Sequence, residues 1–266
     1  MVNSDIPDNT QSDSHQVSDK DITSLKELMD EANRIVIFTG AGISAESGIA
    51  TYRGHGGIWT KYDAEKYASI DYFRRDPSYY WNFFKDVRHD MMADAQPSAS
   101  HIAVAELERQ GRVSSIITQN IDNLHYKAGS KRVLELHGNT TRFYCCDCRA
   151  PYTMTEAKNI LDERLPPLCL KCSGVLRPDV VLFGEMLPAD VIDEAHREAQ
   201  MCDLMIVIGS SLVVYPAANL PYQAKSSGAK LVIINIDPTP LDSVADLYIH
   251  RPAGEVFPQA AGMKDE

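Results

Sequence analysis

Apolar residues along this chain follow two alternating periodicities. Short continuous runs occur at Ile35-Val36-Ile37-Phe38, Val113–Thr118, Val133–Leu136, Leu204–Ile208 and Leu231–Ile236. Such β-branched runs, closed by glycine or polar clusters, read as strands buried on both faces of a parallel sheet. Between them lie helical patterns. Ile22, Leu25, Leu28, Met29 and Ala32 share one helix face behind Asp21 as N-cap, and Ala99–Gln110 and Ala189–Gln200 repeat the pattern. Strands alternating with helices predict an α/β fold with a Rossmann-like, doubly wound parallel sheet.

Ligands of such sheets sit beyond the carboxyl ends of the strands. Those ends carry Gly40-Ala41-Gly42, Gln119-Asn120-Ile121-Asp122, His137-Gly138, Gly209-Ser210-Ser211 and Asn235-Ile236-Asp237. Two stretches break the alternation. Residues 50–98 are rich in aromatics and read as helices and loops, and residues 139–179 hold five of the six cysteines. Both are expected to be insertions that form a smaller lobe, with a cleft between it and the sheet. The expected layout is one domain over 21–266. Its large lobe spans 21–49, 99–138 and 180–258, its helical insertion 50–98 and its cysteine-bearing insertion 139–179. Residues 1–20 are almost wholly polar, cannot offset their ordering entropy and read as a disordered tail.

The remaining composition narrows the function. A formal charge of −11 argues against a phosphate backbone as direct partner. No stretch approaches the roughly 18 consecutive apolar residues of a membrane span, and the start lacks a signal peptide's basic and apolar regions. A cytoplasmic protein without membrane attachment is expected.

Gly40-Ala41-Gly42-Ile43-Ser44-Ala45 follows a strand and fits the dinucleotide pattern G-x-G-x-x-G/A, in which Gly40 makes the turn and Gly42 admits the pyrophosphate. A ligand-free tight turn fits the same residues. The acidic residue that holds the ribose in a dehydrogenase of this fold, about 20 residues on, is missing, which disfavours simple hydride transfer. Cys145-x-x-Cys148 and Cys169-x-x-Cys172 form two knuckles that suit one tetrahedral, closed, structural zinc ion. Cys146 reads as a bystander and Cys202 as a buried small hydrophobe. His137, at a strand end before Gly138, can face the cleft and titrate near neutrality as a general base; a structural histidine is the alternative. His125 reads as structural.

Together these motifs resemble the sirtuin family of NAD-dependent protein-lysine deacetylases, bacterial and archaeal type. Gly40–Ser44 with Ser47-Gly48-Ile49 and Tyr52-Arg53-Gly54 resembles the cofactor loop. Thr118–His125 resembles the second signature and Leu136-His137-Gly138 the catalytic one. The four cysteines, Val180–Glu185, Gly209-Ser210-Ser211 and Asn235 complete the order, so that the likeness spans about 21–258. The resemblance implies transfer of the acetyl group of acetyl-lysine to ADP-ribose with release of nicotinamide, NAD being the co-substrate and zinc structural. His137 would be the proton acceptor, with Asn120 beside it. Cofactor contacts are implied at Gly40, Ala41, Gly42, Ser44, Ser47, Tyr52, Arg53, Gln119, Asn120, Ile121 and Asp122. On the adenosine side they are implied at Gly209, Ser210, Ser211, Asn235, Ile236, Asp237 and Ala253. Val180, Val181, Phe183, Gly184 and Glu185 would receive the acetylated protein or peptide as an added strand. The sequence departs from the family at Ala50-Thr51-Tyr52, where Pro-Asp-Phe or Pro-Thr-Phe often stands. It departs again at Phe84 and Val87, which align with a Tyr-x-x-Arg pair of succinyl-preferring sirtuins. That implies preference for neutral short acyl groups. Arg88 would point away from that site. Mono-ADP-ribosyl transfer to protein is the alternative activity.

Overall fold

The structure, a computed structural model, describes residues 19–53, 57–89 and 94–263. In chain order its strands are β1 (Ile35–Thr39), β2 (Val113–Thr118), β3 (Val133–Glu135), β4 (Gly138–Cys145), β5 (Pro151–Thr153), β6 (Leu176–Val180), β7 (Leu204–Ile208), β8 (Lys230–Ile234) and β9 (Leu247–Ile249). The helices are α1 (Asp19–Glu31), α2 (Ala64–Ala68), α3 (Ile70–Arg75), α4 (Ser78–Phe83), α5 (Ala99–Arg109), α6 (Leu124–Ala128), α7 (Met154–Glu163), α8 (Ala189–Met201), α9 (Asn219–Ser226) and α10 (Ala253–Ala260).

Helix α1 begins at Asp19, so Asp21 lies within the first turn instead of capping it. A carboxylate there still meets the positive end of the helix dipole. The expected disordered tail lies outside the described residues up to residue 18, and Asp19 and Lys20 are helical.

Six strands form one sheet in the order β3-β2-β1-β7-β8-β9, every neighbour pair parallel. Alternate residues of each strand feed opposite faces. Ile35, Ile37, Ile206, Val232 and Ile234 pack against Leu25 and Met29 of α1, Val104 and Leu107 of α5, and Phe257 of α10. Val36, Phe38, Met205, Val207 and Ile233 pack against Ala195 and Ala199 of α8 and Leu220 and Ala224 of α9. The sheet is therefore doubly wound. Chain order reverses between β1 and β7, and a crevice opens at that point beyond the strand ends.

A second sheet, β5-β4-β6, is antiparallel. Its apolar face shares one core with the aromatic helices: Phe143, Leu176 and Leu182 pack with Ile70, Phe73, Trp81 and Phe84. The Trp81 indole N–H donates to the Leu176 carbonyl at 3.1 Å, which ties the two insertions together. After α4 the chain widens into a π-helical turn over Phe84–His89. No helix among the described residues is long and apolar enough to cross a membrane.

Candidate active site

The first loop docks on the end of β7. The Gly40 N–H donates to the Ile208 carbonyl at 3.1 Å and the Gly42 N–H to the Gly209 carbonyl at 2.8 Å. A Cβ on Gly42 would stand 2.6 Å from the Gly209 Cα, so two backbones meet where side chains have no room. Ala41–Ser47 continues as a 3₁₀-helix, not the expected α-helix, and stops at Gly48 with φ of 80°. Its bonds span three residues, and Gly48 closes it by donating to the Ala45 carbonyl at 3.1 Å.

The loop after β2 is wired to the first loop through buried polar atoms. Asn120 Nδ2 donates to the Gly40 carbonyl at 3.0 Å and to Ser44 Oγ at 3.1 Å, and Ser44 Oγ donates to Asp122 Oδ2 at 2.7 Å. Burial pushes the Asp122 carboxyl up, against hydrogen bonds from the Leu124 N–H and the Ser44 hydroxyl. From the other side, Ser210 Oγ donates to Gln119 Oε1 at 2.8 Å. Four sequence segments thus become one floor. Asn123 has φ of 67°, within the left-handed region that asparagine tolerates.

His137 stands between β3 and β4. Its Nδ1 lies 2.9 Å from the Gln119 carbonyl. A carbonyl only accepts, so Nδ1 carries the proton and the neutral ring keeps its lone pair on Nε2. Burial lowers the imidazole pKa from its ordinary value; the Gln119 hydrogen bond opposes this and the nearby Arg53 charge adds to it. The ring is therefore a neutral base at pH 7. Gly138, with φ of 76°, lies so close to β6 that a Cβ would run into the Asp179 carbonyl. His125 is buried, with Nε2 2.9 Å from Thr39 Oγ1.

A cleft of about 470 Å³ spans these groups. Of the anticipated residues it is lined by Gly40, Ala41, Gly42, Tyr52, Arg53, Gln119, Asn120, Ile121, His137, Val181, Phe183, Gly184, Glu185, Gly209, Ser210, Ser211, Asn235, Ile236, Asp237 and Ala253. Ser44, Ser47, Asp122 and Val180 do not line it. Ser44 and Asp122 turn inward to each other, and Val180 lines a neighbouring cavity behind the 181–185 segment. Sequence reasoning missed Trp59, Ala68, Leu187, Tyr215 and Arg251 as lining residues. Arg251 directly precedes the Pro252-Ala253 segment; the others carried no local signal. Phe84 and Val87 do not line the cleft. Phe84 is packed in the smaller lobe's core and Val87 against Ile58 and Phe83. They therefore do not form the acyl wall that the alignment suggested, because the helix turns them into the core; the Arg88 side chain lies outside the described residues.

The segment after β6 has most of its backbone committed. The Val181 N–H donates to the His137 carbonyl at 2.9 Å, the Phe183 N–H to Ala68 at 2.9 Å, and Phe183 accepts from Ile70 at 3.0 Å. Leu182 N–H donates to Glu185 Oε2 at 2.8 Å and its carbonyl accepts from the Glu185 N–H at 3.0 Å. The Val181 carbonyl and the Gly184 backbone groups have no partner among the described residues and face no competitor for an extended chain.

Cys145, Cys148, Cys169 and Cys172 bring their sulfurs within 4.8 Å of one another. The Cys145–Cys172 and Cys148–Cys169 sulfurs are 3.4 and 3.6 Å apart. Tetrahedral zinc at 2.3 Å from each sulfur requires roughly 3.7 Å, so the cluster can hold one zinc ion. Gly174 leaves room for it: a Cβ there would stand 2.9 Å from Cys145 Sγ. Cys146 stays outside the cluster, and Cys202 is buried as a small apolar residue at the end of α8.

The Sir2 family pattern matches residues 40–216, two thirds of the chain and the whole of this floor up to Ser211. The chain belongs to the Sir2 family. Similar to this sirtuin is the NAD-dependent protein deacylase 2 of Archaeoglobus fulgidus, 49% identical over 90% of this chain and 94% of that one. The NAD-dependent protein deacetylase of Caldivirga maquilingensis is 46% identical over 86% of this sirtuin and 88% of its own length. A solved Sir2–p53 peptide–NAD+ structure superimposes with a TM-score of 0.85 at 40% identity, over 91% of this chain and 97% of that one.

Proposed function

We propose that this sirtuin is an NAD-dependent protein-lysine deacylase that removes the acetyl group of acetyl-lysine with release of nicotinamide. The observation that carries the reading is a neutral His137, its Nδ1 proton committed to Gln119, in the wall of one cleft running from the Gly40–Gly42 loop to the 181–185 segment. NAD, when bound, supplies the ADP-ribosyl group that accepts the acyl oxygen. Gly40, Ala41, Gly42, Tyr52, Arg53, Gly209, Ser210 and Ser211 would hold it, with Asn235, Ile236, Asp237 and Ala253 at the adenosine end. Gln119, Asn120 and Ile121 would order the reacting end; Ser44 and Asp122 would act from behind by holding Asn120. His137 would take a proton at Nε2, and closure over the apolar Ile121, Phe183 and Leu187 would exclude water. The acetylated protein or peptide would hydrogen-bond the Val181 carbonyl and Gly184 backbone, with Phe183 beside the acyl chain. With this reading goes the division into a large lobe (21–49, 99–138, 180–258), a helical module (50–98) and a zinc ribbon (139–179).

A neutral short acyl group suits this cleft better than succinyl. Trp59, Ala68 and Phe183 line its peptide end, and its arginines among the described residues are Arg53 and Arg251, both assigned here to NAD. A buried unpaired carboxylate costs several kcal/mol, so acetyl-lysine should exceed succinyl-lysine by roughly 100-fold in kcat/KM. Nicotinamide release from matched acetyl-, butyryl- and succinyl-lysine peptides tests both statements. No peptide-dependent release would overturn the deacylase reading, label from NAD on protein would mark an ADP-ribosyltransferase, and equal succinyl turnover would overturn the preference.

A further inference from the structure

Arg177, on β6, is buried, and Glu185 is the carboxylate at the end of the turn that faces the cleft. The two form a bidentate ion pair at 2.8 and 2.7 Å. Arg177 Nη2 also donates to the Val180 carbonyl at 2.6 Å, and the Glu185 carboxylate accepts the Leu182 N–H at 2.8 Å. The guanidinium lies over the Phe73 and Tyr144 rings, with its carbon 5.6 Å from each centroid. Arg177 thus reaches a helix of the aromatic module and β4 of the cysteine sheet while gripping both ends of the 180–185 turn. A bidentate charged pair of this kind is strong and fixes geometry in two directions.

The turn needs such a grip. Leu182 and Glu185 close it on themselves, and the two free backbone sites, at Val181 and Gly184, lie between the points where Arg177 and Glu185 act. Gly184 has φ of 89° and contributes no side chain to hold its own conformation. An extended peptide gains from preordered partners because their ordering cost is met before it arrives. We propose that Arg177 and Glu185 are positioning residues that hold the Val181 carbonyl and Gly184 backbone in register for the substrate peptide, with Glu185 occupied by Arg177 and not by substrate.

This rests on the deacylase reading, and its test separates the two. Binding of a fluorescent acetyl-lysine peptide by anisotropy needs no turnover and reads the turn directly; nicotinamide release by the wild type reads the chemistry. Glu185→Gln keeps the shape and removes the charge; Arg177→Lys keeps the charge and removes the fork. Each should weaken peptide binding and raise peptide KM by about tenfold, in line with loss of a charged hydrogen bond. The KM for NAD, the zinc content and kcat at saturating peptide should stay within about twofold of wild type, since the Gln119–His137 bond is untouched. Unchanged peptide affinity in both variants would overturn the proposal, as would an equal rise of the NAD and peptide KM values, the mark of a general loosening. Wild-type peptide binding without nicotinamide release would count against the chemistry alone.

Discussion

The two sheets of this sirtuin are held by different means. Every residue of β1 and β7 is buried, and each buried aliphatic side chain is worth roughly 1.5–3 kcal/mol. The strands of the large sheet therefore need no cross-link. Of the three residues of β5 only Tyr152 is buried, and β4 mixes buried and exposed positions. A sheet of three strands has one face to bury, and here it borrows Trp81 and Phe84 from the helical module and places four thiols at ligand distance. Apolar area stabilises the part that carries the chemistry, while the part that frames the peptide depends on a metal site.

The strongest way to break this contrast is to remove the metal ligands. Cys169→Ser should abolish stoichiometric zinc, a loss on the order of 10 kcal/mol of coordination. Amide exchange should then accelerate in residues 138–180 while 204–208 and 230–234 stay protected. Equal loss of protection in both regions would show that one cooperative core holds them together.

Next comes His137→Ala, which tests whether the chemistry resides at the sheet's edge. Turnover should fall about 10²–10⁴-fold, the usual worth of a general base, with zinc content and melting temperature nearly unchanged. Residual activity near wild type would remove His137 from its role.

In the large sheet, Ile206→Ala should cost about 2–5 kcal/mol by leaving a cavity in a fully buried strand. Denaturant unfolding should register this with zinc still bound. A cost below about 1 kcal/mol would mean that the sheet is less tightly packed than its burial indicates.

The smallest effect is a displacement on the pH axis. Only neutral His137 accepts a proton, and burial holds its pKa below the ordinary 6.5. As pH falls, kcat/KM should therefore hold through 6.5 and decline only below it. An acid limb centred at or above that value would mean that the imidazole is more solvated than its surroundings imply.

Much of this was legible in the chain. The β-branched runs named five of the six parallel strands, because a strand buried on both faces must be apolar throughout. The sixth, β9, is a three-residue edge strand with only Ile249 buried, too short to leave a pattern. Strands β4 to β6 stayed hidden for a related reason: Thr, Arg and Tyr fill their exposed positions, so the cysteine spacing was readable and the sheet around it was not. Helix α1 began two residues early because charged residues extend a helix start without any apolar signal.

The site divides in the same way. Gly40, Asn120, His137 and Gly209 were legible because parallel strands place their following loops on one edge. By itself the sequence determined the alternation of strand and helix, the cysteine spacing and the residues at the strand ends, since these depend on near neighbours along the chain. Only the tertiary structure decided that Ser44 and Asp122 turn away from the cleft, that Phe84 and Val87 join cores, and that Arg177 meets Glu185. Each depends on which way a side chain faces once distant segments pack, and burial pairs polar groups wherever partners come within reach.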